Sequence, residues 1–366
     1  MEYKMKSDHF LLALDEIQSQ IDTHTNRISP TQDNDDAKIL VQAISKGKIA
    51  QSAGLEIAGV SVGTLYTQIL SDTIHILEHE SSPSHRKRAA LVLGLLKEKG
   101  SIPLLHHILE YDDSDEVRVY AVSALTEFKV EKVGPILIKS LENGQSERVR
   151  ISVMQSLGSL QAEEAIPVFK EVLRKEQNEQ VRIHTISALE KMRTQEVLPA
   201  LIHTFEQDSN EHVRLHTAIV LNGLRMGEVI PTSQKIFQEE VIPLFIKTFQ
   251  SEQSERMRHL LAMFLSPLFL EEMIPLFIRT LQDEQSERIR LEALRGLDMM
   301  IEVNVLPGLI YALEHDDSIL IRQKAAESLE RWKAKEAAIT ALRTAAVEDE
   351  DEAVQRAAAK SLQQRL

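Results

Sequence analysis

Thirteen histidines and a regularly spaced set of arginines are the side chains from which a metal or anion site could be built here. There is no cysteine, so disulfides, thiolate metal sites and cysteine nucleophiles are excluded. His79-Glu80 offers a ring nitrogen and a carboxylate in one step, and His106-His107 offers two nitrogens. His184 and His216 each stand two residues after an arginine, 32 residues apart. A metal needs several ligands converging on one cavity. No third ligand falls in phase with either pair, so solvent-facing polar histidines are expected, with no metal or other cofactor. No Gly-rich phosphate loop of the Walker kind and no G-x-S-x-G elbow occurs, and Gly47-Lys48 lacks the upstream glycines. No catalytic residue is assigned.

The arginines are more orderly than any ligand set. Arg86, Arg118, Arg150, Arg182 and Arg214 are each 32 apart, and after a gap of 44 the series resumes at Arg258, Arg290 and Arg322. Pro103, Pro135, Pro167, Pro199 and Pro231 keep the same period, as do Pro243, Pro275 and Pro307. Both tracks slip together, which places an insertion near 227–240. Such a series could form a ladder for anions. Periodicity is what stacking demands, however, and it is not what a ligand demands. Each arginine is therefore expected to pair with an acid of its own or a neighbouring unit.

The elements that hold these residues follow from a third track. Four residues before each arginine stand Ser82, Ser114, Ser146, Asn178, Asn210, Ser254, Ser286 and Ser318; in a ninth unit Asp351 precedes Gln355. All nine are N-cap types, and acids mostly follow at the positive end of the helix dipole. Apolar residues then recur at helical spacing, as in Val117, Ala121, Ala124, Leu125 and Phe128. The proline is expected to open the other helix of each unit. Each unit reads as helix A, a polar turn and a capped helix B. Stacking would bury the faces one hairpin leaves open. The units are 69–98, 100–129, 132–161, 164–193, 196–226, 239–269, 272–301, 304–333 and 336–365.

The run from Asp113-Ser114-Asp115-Glu116-Val117-Arg118 to Ala124-Leu125 resembles HEAT repeats. With 32 residues per unit and an Ile/Leu-Pro start, it resembles the phycobilisome-lyase type of HEAT-like repeat. The resemblance implies an all-α superhelix (solenoid) of about nine helical hairpins over residues 69–366, with helices B lining the concave side. It admits scaffolds, subunits of a phycobilin lyase acting on a biliprotein, deoxyhypusine hydroxylase and repair glycosylases. The hydroxylase binds two irons through several His-Glu pairs, and only His79-Glu80 has that order here. A glycosylase needs a basic groove with an aromatic-lined pocket, whereas the one Trp is Trp332 and the net charge is −14.

Residues 1–68 read as an extension that caps the array: an amphipathic helix over 6–24, a linker at 27–36, a short helix at 37–45 and a Gly-punctuated apolar run at 55–62. The apolar stretch Phe10-Leu11-Leu12-Ala13-Leu14 is too short to span a bilayer, and the acidic balance argues against nucleic acid. A cytoplasmic, non-enzymatic adaptor for a protein or peptide is expected. Its contacts should stand two and five residues after the arginines: Tyr120, His184, His216, Leu260 and Met263. Met257 to Phe269 is apolar nearly all round. It should either meet the insertion through Ile236 and Phe237 or form an exposed patch.

Overall fold

The computed structural model describes residues 56–57, 60–141, 143, 145–226, 234–332 and 334–363. The helices expected at 6–24 and 37–45, the linker at 27–36 and residues 227–233 of the insertion lie outside them. Strands β1 (Glu56–Ile57) and β2 (Val60–Ser61) form a minimal antiparallel hairpin, with Ile57 opposite Val60. Eighteen α-helices of ten or more residues follow. In the first half these are α1 (Val62–His79), α2 (Pro83–Leu96), α3 (Ile102–Tyr111), α4 (Asp115–Thr126), α5 (Val130–Ser140), α6 (Glu147–Ser159), α7 (Ile166–Lys175) and α8 (Glu179–Met192). Next come α9 (Leu198–Gln207), α10 (Glu211–Met226), α11 (Ile242–Ser251), α12 (Glu255–Leu265) and α13 (Ile274–Asp283). The last are α14 (Glu287–Asp298), α15 (Leu306–His315), α16 (Ile319–Leu329), α17 (Glu336–Glu348) and α18 (Glu352–Gln363). Odd numbers are helices A and even numbers helices B. The fold is all-α.

The helices cluster into two compact units, Met1–Thr204 and Phe205–Leu366, with the division inside α9. In the first, α2, α4, α6 and α8 pack in succession; in the second, α10, α12, α14, α16 and α18 do. The cause is the apolar register around each arginine. The residue just before it (Val117, Val149, Val181, Val213, Met257, Ile289, Ile321) has no exposed surface, and neither does the leucine seven after it (Leu93, Leu125, Leu157, Leu189, Leu221, Leu265, Leu297, Leu329). Burying one such side chain is worth about 1.5–3 kcal/mol. Small residues set how closely helices B approach. A Cβ on Gly94 would lie 2.6 Å from the Ala124 Cα, and one on Gly158 2.8 Å from the Ala188 Cα.

Three expectations are corrected. Proline stands second in α3, α7, α9, α11, α13 and α15, but Pro135 lies inside α5, which starts five residues earlier at Val130. Ahead of α3, α7, α9, α13 and α15 the preceding residues form a separate 3-10 turn, as at Lys99–Ser101 and Glu163–Ala165; in α5 they are helical already. The N-cap side chains also divide. Ser146, Asn178, Asn210, Ser254, Ser318 and Asp351 accept a backbone N–H from the first turn, whereas Ser82, Ser114 and Ser286 do not. The Ser286 hydroxyl instead donates to Glu255 Oε1 at 2.7 Å. Finally, the apolar segment of the sixth hairpin is not one helix. α12 ends at Leu265, a 3-10 turn spans Ser266–Leu268, and Phe269 takes a left-handed φ of 53°.

The described part of the insertion is a short helix at Gln234–Ile236 running into a π-helical turn at Phe237–Val241. That turn continues directly into α11 and packs on it. Phe237 and Val241 are buried there, so this turn extends helix A toward its N-terminus.

Candidate partner-binding face

The arginines are consumed by the architecture. From six of these helices B the guanidinium reaches forward to the acid in the next hairpin's A–B turn. Arg86 bonds Asp112 at 2.8 and 2.9 Å, Arg290 bonds Asp316 at 2.8 and 3.0 Å, and Arg322 bonds Asp349 at 3.0 and 3.2 Å. Arg258 holds Glu284 through two bonds of 3.1 Å, while Arg150 meets Glu176 at 2.8 Å and Arg214 meets Glu252 at 3.1 Å. Bidentate pairs of this kind are strong and geometrically specific. The remaining nitrogen turns back to the arginine's own A–B turn. Arg290 Nη1 donates to the carbonyls of Glu284 and Gln285, and Arg182 Nη1 to those of Glu176 and Gln177. In the ninth hairpin Gln355 Nε2 donates to the Asp349 carbonyl at 2.6 Å, keeping that half of the arrangement.

The acid is itself a junction. It also accepts the N–H of the N-cap residue two positions on, as in Ser114 to Asp112 (2.9 Å) and Ser318 to Asp316 (2.8 Å). Burial pushes the Asp112 carboxyl up, but the Arg86 bonds, the Ser114 N–H and the Arg86 charge together hold it below the ordinary carboxylate value. Glu252 is likewise raised by burial and lowered further by the Ser254 N–H and Arg214, ending below its usual value. The partner arginines Arg86 and Arg290 are pushed up, foremost by their bonds to Asp112 and Asp316.

A second series ties neighbouring helices B at their N-termini, and the sequence reading missed it. The acid opening one helix accepts from the N-cap of the next: Glu147 from Asn178 (2.7 Å), Glu211 from Ser254 (2.5 Å) and Glu255 from Ser286 (2.7 Å). The recurrence of acid and N-cap was visible. That one hairpin's acid lies against the next hairpin's cap follows only from stacking.

The positions two and five after each arginine face outward from helices B. Ser123, Gln155, Ile219, Met263, Arg295 and Glu327 are exposed, and the partners three residues earlier are half-buried in most units. Tyr120 is half-buried, with Lys87 Nζ 5.7 Å from its ring centre; Lys87 also bonds Glu116 at 2.8 Å. His184 Nδ1 lies 3.2 Å from Gln155 Nε2 of the preceding helix B. His216 and Leu260 are half-buried; Met263 is 46% exposed, and Ile219, at the same register on the preceding helix B, is 50% exposed. The five predicted contacts thus share the outward side of helices B, with Tyr120 and His184 in the first unit and the other three in the second. Among the described residues, no group of three or more His, Cys, Asp or Glu side chains could hold a metal ion. No described helix is long and apolar enough to cross a membrane.

Residues 70–158, 104–190, 134–222, 166–265 and 306–365 match the family described as HEAT repeats, together well over half of the sequence. The chain belongs to the HEAT-repeat family. No curated protein is significantly similar to it. Among solved structures, this HEAT chain is similar to Kap121p with a TM-score of 0.55 and 15% identity, over 81% of this chain and 37% of that one. The karyopherin Kap121p bound to the extreme C-terminus of the protein phosphatase Cdc14p gives 0.54 and 16%, with the same coverage. The HEAT chain therefore spans about 37% of those proteins' length, and the likeness speaks to fold. The CpcE–CpcF complex of phycocyanin lyase from Nostoc sp. PCC7120 gives a TM-score of 0.36 at 21% identity, over 66% of this chain and 92% of that one.

Proposed function

We propose that this HEAT-repeat chain is a non-enzymatic adaptor that takes a partner protein or peptide along the outward side of its helices B. One observation carries the reading. In six connections the A–B turn acids are engaged in inter-hairpin bonds, whereas Ile219 and Met263 present apolar side chains to solvent where helix stacking requires none. A row of half-buried and exposed side chains on stacked helices offers many shallow contacts to an extended ligand. The karyopherin in complex with a phosphatase C-terminus is a protein of similar fold that holds a chain terminus. A cytoplasmic setting belongs to the same reading, since a chain without cysteine gains nothing from an oxidising compartment.

A photo-cross-linking amino acid at Met263 or Ser123 should form adducts in lysate of the source cells. The same group at Lys170, exposed on helix A α7, should not. Leu260→Ala with Met263→Ala should reduce the yield of adducts from the same group placed at Ile219, without lowering the melting temperature. Adducts confined to Lys170 would overturn the reading, and a collapse of the fold in the double variant would make Leu260 and Met263 core residues.

A further inference from the structure

The residue eleven after each arginine sits in or beside the turn from helix B to the next helix A. In the first five hairpins it is Lys97, Lys129, Gln161, Arg193 and Arg225; in the next two it is Phe269 and Ile301; in the eighth the sequence returns to Lys333. The change is not required by the turn. Lys97, Gln161 and Arg193 adopt the same left-handed backbone as Phe269, with φ of 51–52° against 53°. That conformation is disfavoured for bulky side chains, yet Phe269 adopts it and stays 52% exposed, while Ile301, without a positive φ, is 79% exposed. Met299 and Val303, on either side of Ile301, are 51% and 52% exposed. Phe269 in one B–A turn, and Met299, Ile301 and Val303 in and around the next, are solvent-facing apolar side chains of the kind that mark an interaction surface.

The patch continues into a shallow groove of about 530 Å³ formed by Val303, Leu306, Pro307, Ile310, Tyr311 and Ala337. Acidic residues accompany it: Glu271 and Glu272 follow Phe269 in sequence, Glu302 separates Ile301 from Val303, and Glu314 lines the groove together with His315. Asp298 is paired with Arg331 at 2.5 Å. The anchors Phe269 and Ile301 belong to consecutive hairpins, and packed helices stand about 8–10 Å apart. Residues seven apart on an α-helix are separated by about 10.5 Å along its axis.

We propose that this edge of the second unit docks one amphipathic helix of a partner protein, with large apolar residues at i and i+7 and Lys or Arg along its flanks. The apolar side chains would cover Phe269, Ile301 and Val303. The basic flanks would meet Glu271, Glu272, Glu302 and Glu314. Neither Met263 nor Leu260 lines this groove, and the proposed docking does not use them.

The test is fluorescence anisotropy on the full chain with two labelled peptides. One is a helix of about 18 residues with Leu at i, i+3, i+4 and i+7 and Lys on the flanks; in the other every Lys is Glu. The Lys peptide should bind, more weakly as salt rises, and the Glu peptide should not. Ile301→Ser with Val303→Ser should weaken binding about ten-fold or more. Melting should be nearly unchanged because both residues are exposed. Met263→Ser should leave binding intact. Equal binding of both peptides, or binding indifferent to the Ile301 and Val303 changes, would refute the proposal. So would self-association in sedimentation velocity that the double variant abolishes, because the occupant would then be a second copy. Loss of the Met263 cross-link with peptide binding retained would remove the proposed function and leave this inference standing.

Discussion

At Arg290 the connection between hairpins is complete. Two bonds reach Asp316 of the next hairpin, and two more, each of 3.0 Å, reach the carbonyls of Glu284 and Gln285. At Arg118 it is not. The sequence position that carries the acid elsewhere, two before the N-cap, is Gly144 here. Arg118 pairs with Asp115 of its own helix, and its Nε is buried without a hydrogen-bond partner. The surrounding apolar residues do not differ: Val117, Leu125, Val149 and Leu157 are as fully buried as Ile289, Leu297, Ile321 and Leu329. Burial therefore provides the driving force for stacking at both places. The buried ion pair adds a geometric requirement on top of it, which is where paired charges tend to matter.

The sharpest way to break the comparison is acid, because it acts on several connections at once. Asp112 and Glu252 are held below their ordinary values in the fold. Their contribution is complete above the unfolded carboxylate value of about 4 and is lost as pH falls through the lower folded values. Melting temperature measured from about pH 7 to about pH 2 should stay level and then drop in that acidic window. A flat profile would show that the pairs carry no stability. Next in size is Arg290→Ala. It leaves the Asp316 carboxylate, 1% exposed, without its counter-charge, and removing one member of such a pair costs about 3–5 kcal/mol. The urea midpoint should fall accordingly. The smallest effect is expected for Arg118→Ala, which removes one partly exposed local pair worth under about 1 kcal/mol. Equal losses for Arg118 and Arg290 would erase the distinction drawn above.

Much of the fold was legible because repetition averages out local ambiguity. The 32-residue period, most helix starts and the pairing of arginines with acids followed from residue types in phase. Which acid each arginine takes was not legible. Arg86 could have chosen Glu80 of its own turn, and only stacking brings Asp112 within 2.8 Å. The early start of α5 ahead of Pro135 and the end of α12 at Leu265 were also hidden. Both depend on whether a neighbouring turn is α or 3-10, which residue types alone do not decide. The candidate face was legible as a register and not as a set of contacts. Sequence counting put Tyr120, His184, His216, Leu260 and Met263 on one side of helices B, yet it could not foresee that Gln155 would meet His184. The apolar turns at Phe269 and Ile301 were in plain view as a departure from Lys, Gln and Arg at the same register.

One connection spans an unusual length of chain. Arg86, Arg258 and Arg290 each meet an acid 26 residues on, but Arg214 meets Glu252 across 38. The twelve-residue detour changes the entropy of closing that loop by only about 0.3 kcal/mol, since the cost grows with the logarithm of length. This junction is thus where the chain can best absorb added length, and the natural place to splice in a reporter or a second binding module.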